Sequence, residues 1–272
     1  MIMKNICIYH ASCADGFGAA LAVKLHFDSL DEECEFLPAH YGDEAPNVNG
    51  MNVVIVDFSY PRDVLIRMNE QASKMVVLDH HKTAQTNLAG LNFCIFDTEQ
   101  SGAMMAWNYF HKSSTTPELI KYIQDRDLWQ WKLPESREVS SGLQLLPLDF
   151  DVWQEHLSCD SINKLKADGR IVLAYQNQQV AIATNQSKVR QIAFMGHIVP
   201  IVNSTTLISE VCGTLAKGNP FAVTYFDTPT ERVYSLRSRK DGEDVSEIAK
   251  KFDGGGHRNA SGFVIPLTEK QL

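Results

Sequence analysis

The sequence predicts an α/β protein in which an N-terminal parallel-sheet domain is joined by a helical connector to a smaller C-terminal α/β domain. Three observations predict it. Short runs of β-branched and apolar residues alternate with amphipathic helical patterns through the first half of the chain. Residues 134–188 are polar and helix-periodic, without strand signals, and strand-like runs resume at 198–202, 222–226 and 232–236. The predicted boundaries are 1–135, 136–190 and 191–272.

Taken in order, residues 6–9 read as a short buried strand and 18–27 (GAALAVKLHF) as the helix after it, with His10 and Asp15 in the turn between. A strand-like stretch at 35–37 leads into a Gly/Asp/Pro/Asn loop at 42–50, followed by the β-branched run NVVIVDF at 52–58. Pro61 suits the first turn of a helix that runs to about residue 72. Residues 75–78 form another apolar strand ending in Asp79-His80-His81, then come a strand at 93–96 and a helix at 101–110. This alternation indicates a parallel sheet covered on both faces, with ligands beyond the C-terminal strand ends, where His10, Asp57 and Asp79 to His81 all fall. In the second half, helices at 208–217 and 245–252 accompany the strands, and Gly254, Gly255, Gly256 and His257 follow.

Composition narrows the function. The 272 residues are 44% hydrophobic and carry 25 Lys+Arg against 33 Asp+Glu, a net charge of −8. That balance argues against a protein that coats double-stranded nucleic acid through bulk charge. No apolar run approaches the ~20 residues of a membrane span, and residues 1–10 lack the pattern of a signal peptide, so a cytoplasmic protein without a membrane partner is expected. The 6 cysteines include no CxxC pair, which favours reduced thiols over a disulfide framework or structural zinc.

Imidazoles and carboxylates at strand ends and in turns (His10, Asp15, Asp57, Asp79, His80, His81, Asp125 and Asp127) suit first-row divalent ions such as Mn²⁺. Singly, each also reads as a helix cap or a hydrogen-bonded core residue. Together they fall in ordered motifs. HASCADGFGAA at 10–20, VIVDFS at 54–59, LDHHKT at 78–83, IQDRDLW at 123–129 and GGGHRNASGF at 254–263 resemble, in family order, the DHH phosphoesterase superfamily. The likeness is to its oligoribonuclease-like (nanoRNase) branch, which carries the associated C-terminal glycine-rich domain.

The resemblance implies a two-metal phosphoester hydrolase, usually Mn²⁺-dependent with Mg²⁺ or Co²⁺ as substitutes, its active site in a cleft between a DHH domain and the C-terminal domain. His10 and Asp15 would hold one metal, Asp57 would bridge both, and His80 would hold the other together with Asp125 or Asp127, of which Asp127 looks closer to the oligonucleotide-hydrolysing relatives. Asp79 would orient an imidazole, and His81 would act as general acid beside the scissile phosphate. Arg237, Gly254, Gly255, Gly256 and His257 would grip substrate, while Ser101 would sit near the cleft or simply cap a helix. One departure stands out: the family's Asp-x-Asp begins four residues after the His, whereas here Asp15 is five after His10 and Phe17 stands two beyond it, so the first metal position is expected to lack an oxygen ligand. The implied substrates are short oligonucleotides or small nucleotides, and family members are often homodimers. The rival readings are a nucleotide phosphomonoesterase acting on 3′-phosphoadenosine 5′-phosphate and a catalytically weak nucleotide-binding regulator. Trp107, Trp129, Trp131 and Trp153 read as packing residues.

Overall fold

The computed structural model describes residues 4–112 and 114–267. The chain divides into two compact units, Met1–Leu173 and Ala174–Leu272. The first is built on five parallel strands, β1 (Asn5–His10), β2 (Cys34–Ala39), β3 (Asn52–Val56), β4 (Lys74–Asp79) and β5 (Cys94–Phe96), in the order β2-β1-β3-β4-β5. The residue alternation explains why this sheet is buried on both sides: Cys7, Tyr9, Val54, Val56 and Leu78 face one apolar core, and Ile6, Ile8, Val53, Ile55 and Val77 face the other.

Helix α1 (Ala14–Ser29) packs on the first face, and α2 (Arg62–Gln71) contributes Leu65 and Met68 to the second. A short α3 (Lys82–Asn87) follows the DHH residues. Helix α4 (Gly102–Phe110) lies against α1, and α5 (Glu118–Asp127) packs on both. Helices α6 (Ser136–Leu143) and α7 (Phe150–Glu155) and the long α8 (Cys159–Ala183) follow, the unit boundary falling within α8. Because the chain steps from β1 out to β2 and then back past β1 to β3, the order reverses between β1 and β3. The carboxyl ends of those two strands form the switch point at which open α/β sheets bind ligands.

The second unit is a six-stranded mixed sheet in the order β10-β11-β9-β8-β7-β6. Its strands are β6 (Arg190–Phe194), β7 (His197–Asn203), β8 (Ala222–Asp227), β9 (Glu231–Arg237), β10 (Gly255–His257) and β11 (Ala260–Pro266), with α9 (Ile208–Leu215) and α10 (Val245–Ala249) between them. Most of the glycine run is strand: Gly255 to His257 pair antiparallel with Ala260 to Gly262. Gly254 is required there, since a Cβ would lie 2.2 Å from the Gly262 carbonyl oxygen. No described helix is long and apolar enough to cross a membrane.

Candidate active site

The switch point carries the chemistry. β1 ends in His10, and α1 begins four residues later with Asp15 in its first turn. β3 stops at Val56, so Asp57 leaves the strand, at a φ of 54° in the left-handed region; Ser12 has the same φ. Such values in residues other than glycine cost energy and are tolerated where surrounding structure fixes them. β4 ends in Asp79 and delivers His80 and His81 beyond the sheet.

These side chains converge on the His80 imidazole. Its Nε2 lies 3.0 Å from Asp57 Oδ1, 3.5 Å from Asp15 Oδ2 and 3.6 Å from Asp127 Oδ2. Asp57 Oδ2 lies 3.4 Å from His10 Nδ1, so this carboxylate spans two imidazoles. Asp15 is fixed by the start of α4, whose Gly102 and Ala103 amides donate to its two oxygens at 2.6 and 3.0 Å. Gly102 is closely constrained in turn: a Cβ there would come within 2.4 Å of the Asp57 Cβ.

Burial and mutual repulsion from Asp57 and Asp127 push the Asp15 carboxyl well above its ordinary range. Burial likewise raises Asp127, only partly offset by His80. Burial opposes charge on Asp57 as well, but hydrogen bonds from His10 and His80 prevail and hold it down. Burial works against protonation of His80, yet the Asp57 hydrogen bond and the surrounding carboxylates lift it to about 11. Three carboxylates that repel one another, Asp15 and Asp57 buried and Asp127 partly so, call for cations, and Asp127 Oδ2 is a buried oxygen without a hydrogen-bond donor. The residues therefore fit divalent metal ions. Two adjacent ligand groups are present among the described residues of this unit: Asp15, His80 and Asp127, and His10, Cys13 and Asp57, with Asp57 Oδ1 3.0 Å from His80 Nε2.

Beside the cluster, Asp79 is fully buried and organises its neighbours. It accepts from the Ser59 hydroxyl and from the His81 amide at 3.1 Å, and pairs with His81 Nδ1 at 2.7 Å. The His81 ring thus has one nitrogen engaged and its orientation set. Burial disfavours the charged imidazole, but the Asp79 carboxylate outweighs it and raises the His81 pKa.

The structure places the remaining predicted residues as follows. Asp127 joins the cluster, whereas Asp125 points elsewhere: its carboxylate accepts from Lys132 N at 2.8 Å and Leu133 N at 3.1 Å, and its carbonyl accepts from Gln130 N and Trp131 N. Asp125 is the hub of the loop that follows α5. Ser101 is buried and caps α4 through Met104 N. In the second unit, Arg237 donates to Ser209 Oγ at 2.9 Å and to the Leu236 carbonyl. His257 ends β10, and the φ of 132° at Gly256 suits only glycine.

Phe17 supplies no ligand. Phe17 is 2% exposed and stacks on Phe150 at 4.6 Å with Trp153 edge-on at 4.9 Å, so it belongs to the core and not to the metal cluster. The residue facing His10 and Asp57 is Cys13, which sequence reasoning passed over because it sought paired cysteines. The signal was available in the H-x-x-C-x-D spacing at a strand-to-helix turn. Tyr41 was also missed: 56% exposed, its ring lies 5.6 Å from His10 and 6.0 Å from His81 and rests on Phe58. Trp129, read as a packing residue, is 39% exposed with Arg126 over its ring, whereas Trp107 and Trp153 are buried.

No family model matches the chain. Among curated proteins it is 31% identical over 283 residues to an uncharacterised protein of Acanthamoeba polyphaga mimivirus, covering 96% of this chain and 67% of that one. It is 23% identical over 302 residues to oligoribonuclease NrnB of Bacillus subtilis, covering 95% and 72%. Among solved structures, RecJ of Thermus thermophilus in complex with Mn²⁺ superposes with a TM-score of 0.55 at 14% identity, over 98% of this chain and 50% of that one. The pGpG-specific phosphodiesterase PggH of Vibrio cholerae superposes at 0.52 with 13% identity, over 98% and 95%. The oligoribonuclease and the pGpG phosphodiesterase are both phosphoester hydrolases by name. The chain shares a family with the mimivirus protein, and its fold is that of RecJ and PggH.

Proposed function

We propose that this protein is a metal-dependent phosphodiesterase, using Mn²⁺ or a similar divalent ion, that cleaves very short oligonucleotides. The observation that carries the reading is the joining of two ligand groups through Asp57, with the Asp79-held His81 ring beside them. Asp15, His80 and Asp127 would hold one ion and His10 the other, with Asp57 shared. Two bound divalent ions supply charge neutralisation of phosphate and acidify a water toward neutrality.

The chain's own residues do the rest. Asp79, dry and bonded to Ser59, keeps the His81 Nδ1 side occupied and turns the other ring nitrogen toward substrate, where it holds or gives the proton taken by the departing oxygen. Tyr41 offers an exposed ring beside His10 and His81, and Trp129 another two residues past Asp127; such rings suit a nucleoside next to the phosphate better than a bare inorganic anion. The glycine-rich segment with Arg237 and His257 is proposed to bind phosphate within the second unit.

A 5′-labelled RNA dinucleotide and an RNA pentamer, incubated with Mn²⁺ or with chelator, test the reading. Metal-dependent conversion of the dinucleotide to mononucleotides supports it. Phosphate release from 3′-phosphoadenosine 5′-phosphate with the dinucleotide left intact would replace it with a monoesterase.

A further inference from the structure

We infer that Cys13 is a thiolate ligand of the metal position formed with His10 and Asp57, and that this position prefers a softer ion, of Zn²⁺ or Co²⁺ character, over Mn²⁺ or Mg²⁺. The inference rests on the metal-binding part of the proposed function. A ligand atom from each of Cys13, His10 and Asp57 lies within 4.8 Å of the other two. Sulfur, imidazole and carboxylate bound to one tetrahedral ion sit about 3.5 Å apart, given bond lengths of about 2.0–2.3 Å, so a modest closure brings the three together.

The two ligand groups are chemically unequal. Asp15, His80 and Asp127 offer only oxygen and nitrogen, the donor set of hard and borderline ions, whereas His10, Cys13 and Asp57 add a soft sulfur. Local structure gives no other reason for cysteine at this point. Cys13 is the N-cap of α1, a place where Ser, Thr, Asp and Asn are favoured and cysteine is not. The thiol is only partly buried, unlike Cys7 and Cys212, so it is not simply filling a core. Binding is proton-balanced: the thiol loses its proton to solvent as the metal–sulfur bond forms.

The test is Co²⁺ titration of the metal-free protein, followed by absorption and by metal analysis. The expected result is a thiolate-to-cobalt charge-transfer band in the near ultraviolet that saturates with the first position, is abolished in Cys13→Ser and persists in Cys34→Ser and Cys94→Ser. Equilibration with equal Zn²⁺ and Mn²⁺ gives a second readout, in which Cys13→Asp shifts the bound Zn:Mn ratio toward Mn by at least about tenfold. Cobalt bound without the band, a band that survives in Cys13→Ser, or an unchanged Zn:Mn ratio would overturn the assignment while leaving the metal reading in place. A protein that binds no cobalt at all would overturn both.

Discussion

His81 sits where one contact sets its role. Asp79 is 0% exposed and engages His81 Nδ1 at 2.7 Å, so rotation of the ring would break a charge-assisted bond to a buried carboxylate. His81→Ala is expected to lower kcat on a dinucleotide by about 10²–10⁴-fold, the usual worth of a positioned acid, with the bound-metal count unchanged. Asp79→Asn should lose about 10–100-fold, because the orienting charge goes while the ring stays. Metal analysis beside kinetics separates this from loss of ligands. The two aspartates of the fourth motif divide as sharply. Asp127→Ala should cost bound metal with little change in melting temperature. Asp125→Ala should keep the metal and lose about 3 kcal/mol of stability, because two amides of the 132–133 loop lose a charged acceptor. Sequence alone left these two open, since both lie in one helical turn and only the loop beyond shows which carboxylate is already engaged.

At the scale of the elements, the site is a product of strand ends and one helix start. Asp15 on α1 is held by the amides of α4, so the packing of those helices, which surrounds Phe17, Ala103 and Ala106, sets the distance from Asp15 to His80. Gly102 is the tightest point of that arrangement. Gly102→Ala places a methyl 2.4 Å from the Asp57 Cβ, and is expected to weaken metal binding by about 10–100-fold with circular dichroism unchanged; calorimetric titration with Mn²⁺ checks it. The parallel strands were legible because double burial writes unbroken β-branched runs such as NVVIV. The strands β6, β10 and β11 were not. β6 is an edge strand whose RQIAF mixes polar and apolar residues, and β10 is three residues of GGH that pair only because β11 lies alongside. Helix α5 carried a start signal, Pro117 followed by Glu118, that the motif reading overlooked.

Over the whole molecule, a net charge of −8 would meet the anionic substrate of the proposed function, and the basic residues of the second unit do not redress the balance. Residues 232–258 hold seven Lys and Arg against five Asp and Glu, but four of the seven are paired within the unit: Arg232 with Asp227 at 2.6 Å, Arg239 with Asp241 at 3.2 Å, Lys250 with Glu247 at 2.9 Å and Arg258 with Asp244 at 3.3 Å. No extended cationic track follows from such pairs, so attraction has to come from the few groups at the reacting phosphate. A single-stranded ligand weakens with salt in proportion to the number of phosphates its protein neutralises, with a logarithmic slope of about −0.7 per phosphate. For a 5′-phosphorylated dinucleotide, with one or two phosphates engaged, raising salt from about 50 to about 200 mM should increase KM by about 3–7-fold. An enzyme built on a long polyanion track would lose about 10³–10⁵-fold over the same interval. Steady-state kinetics at the two salt concentrations decides between them: a modest rise fits a site that recognises the ends of very short strands, and a loss of several orders of magnitude would mean that a much longer stretch of nucleic acid is bound.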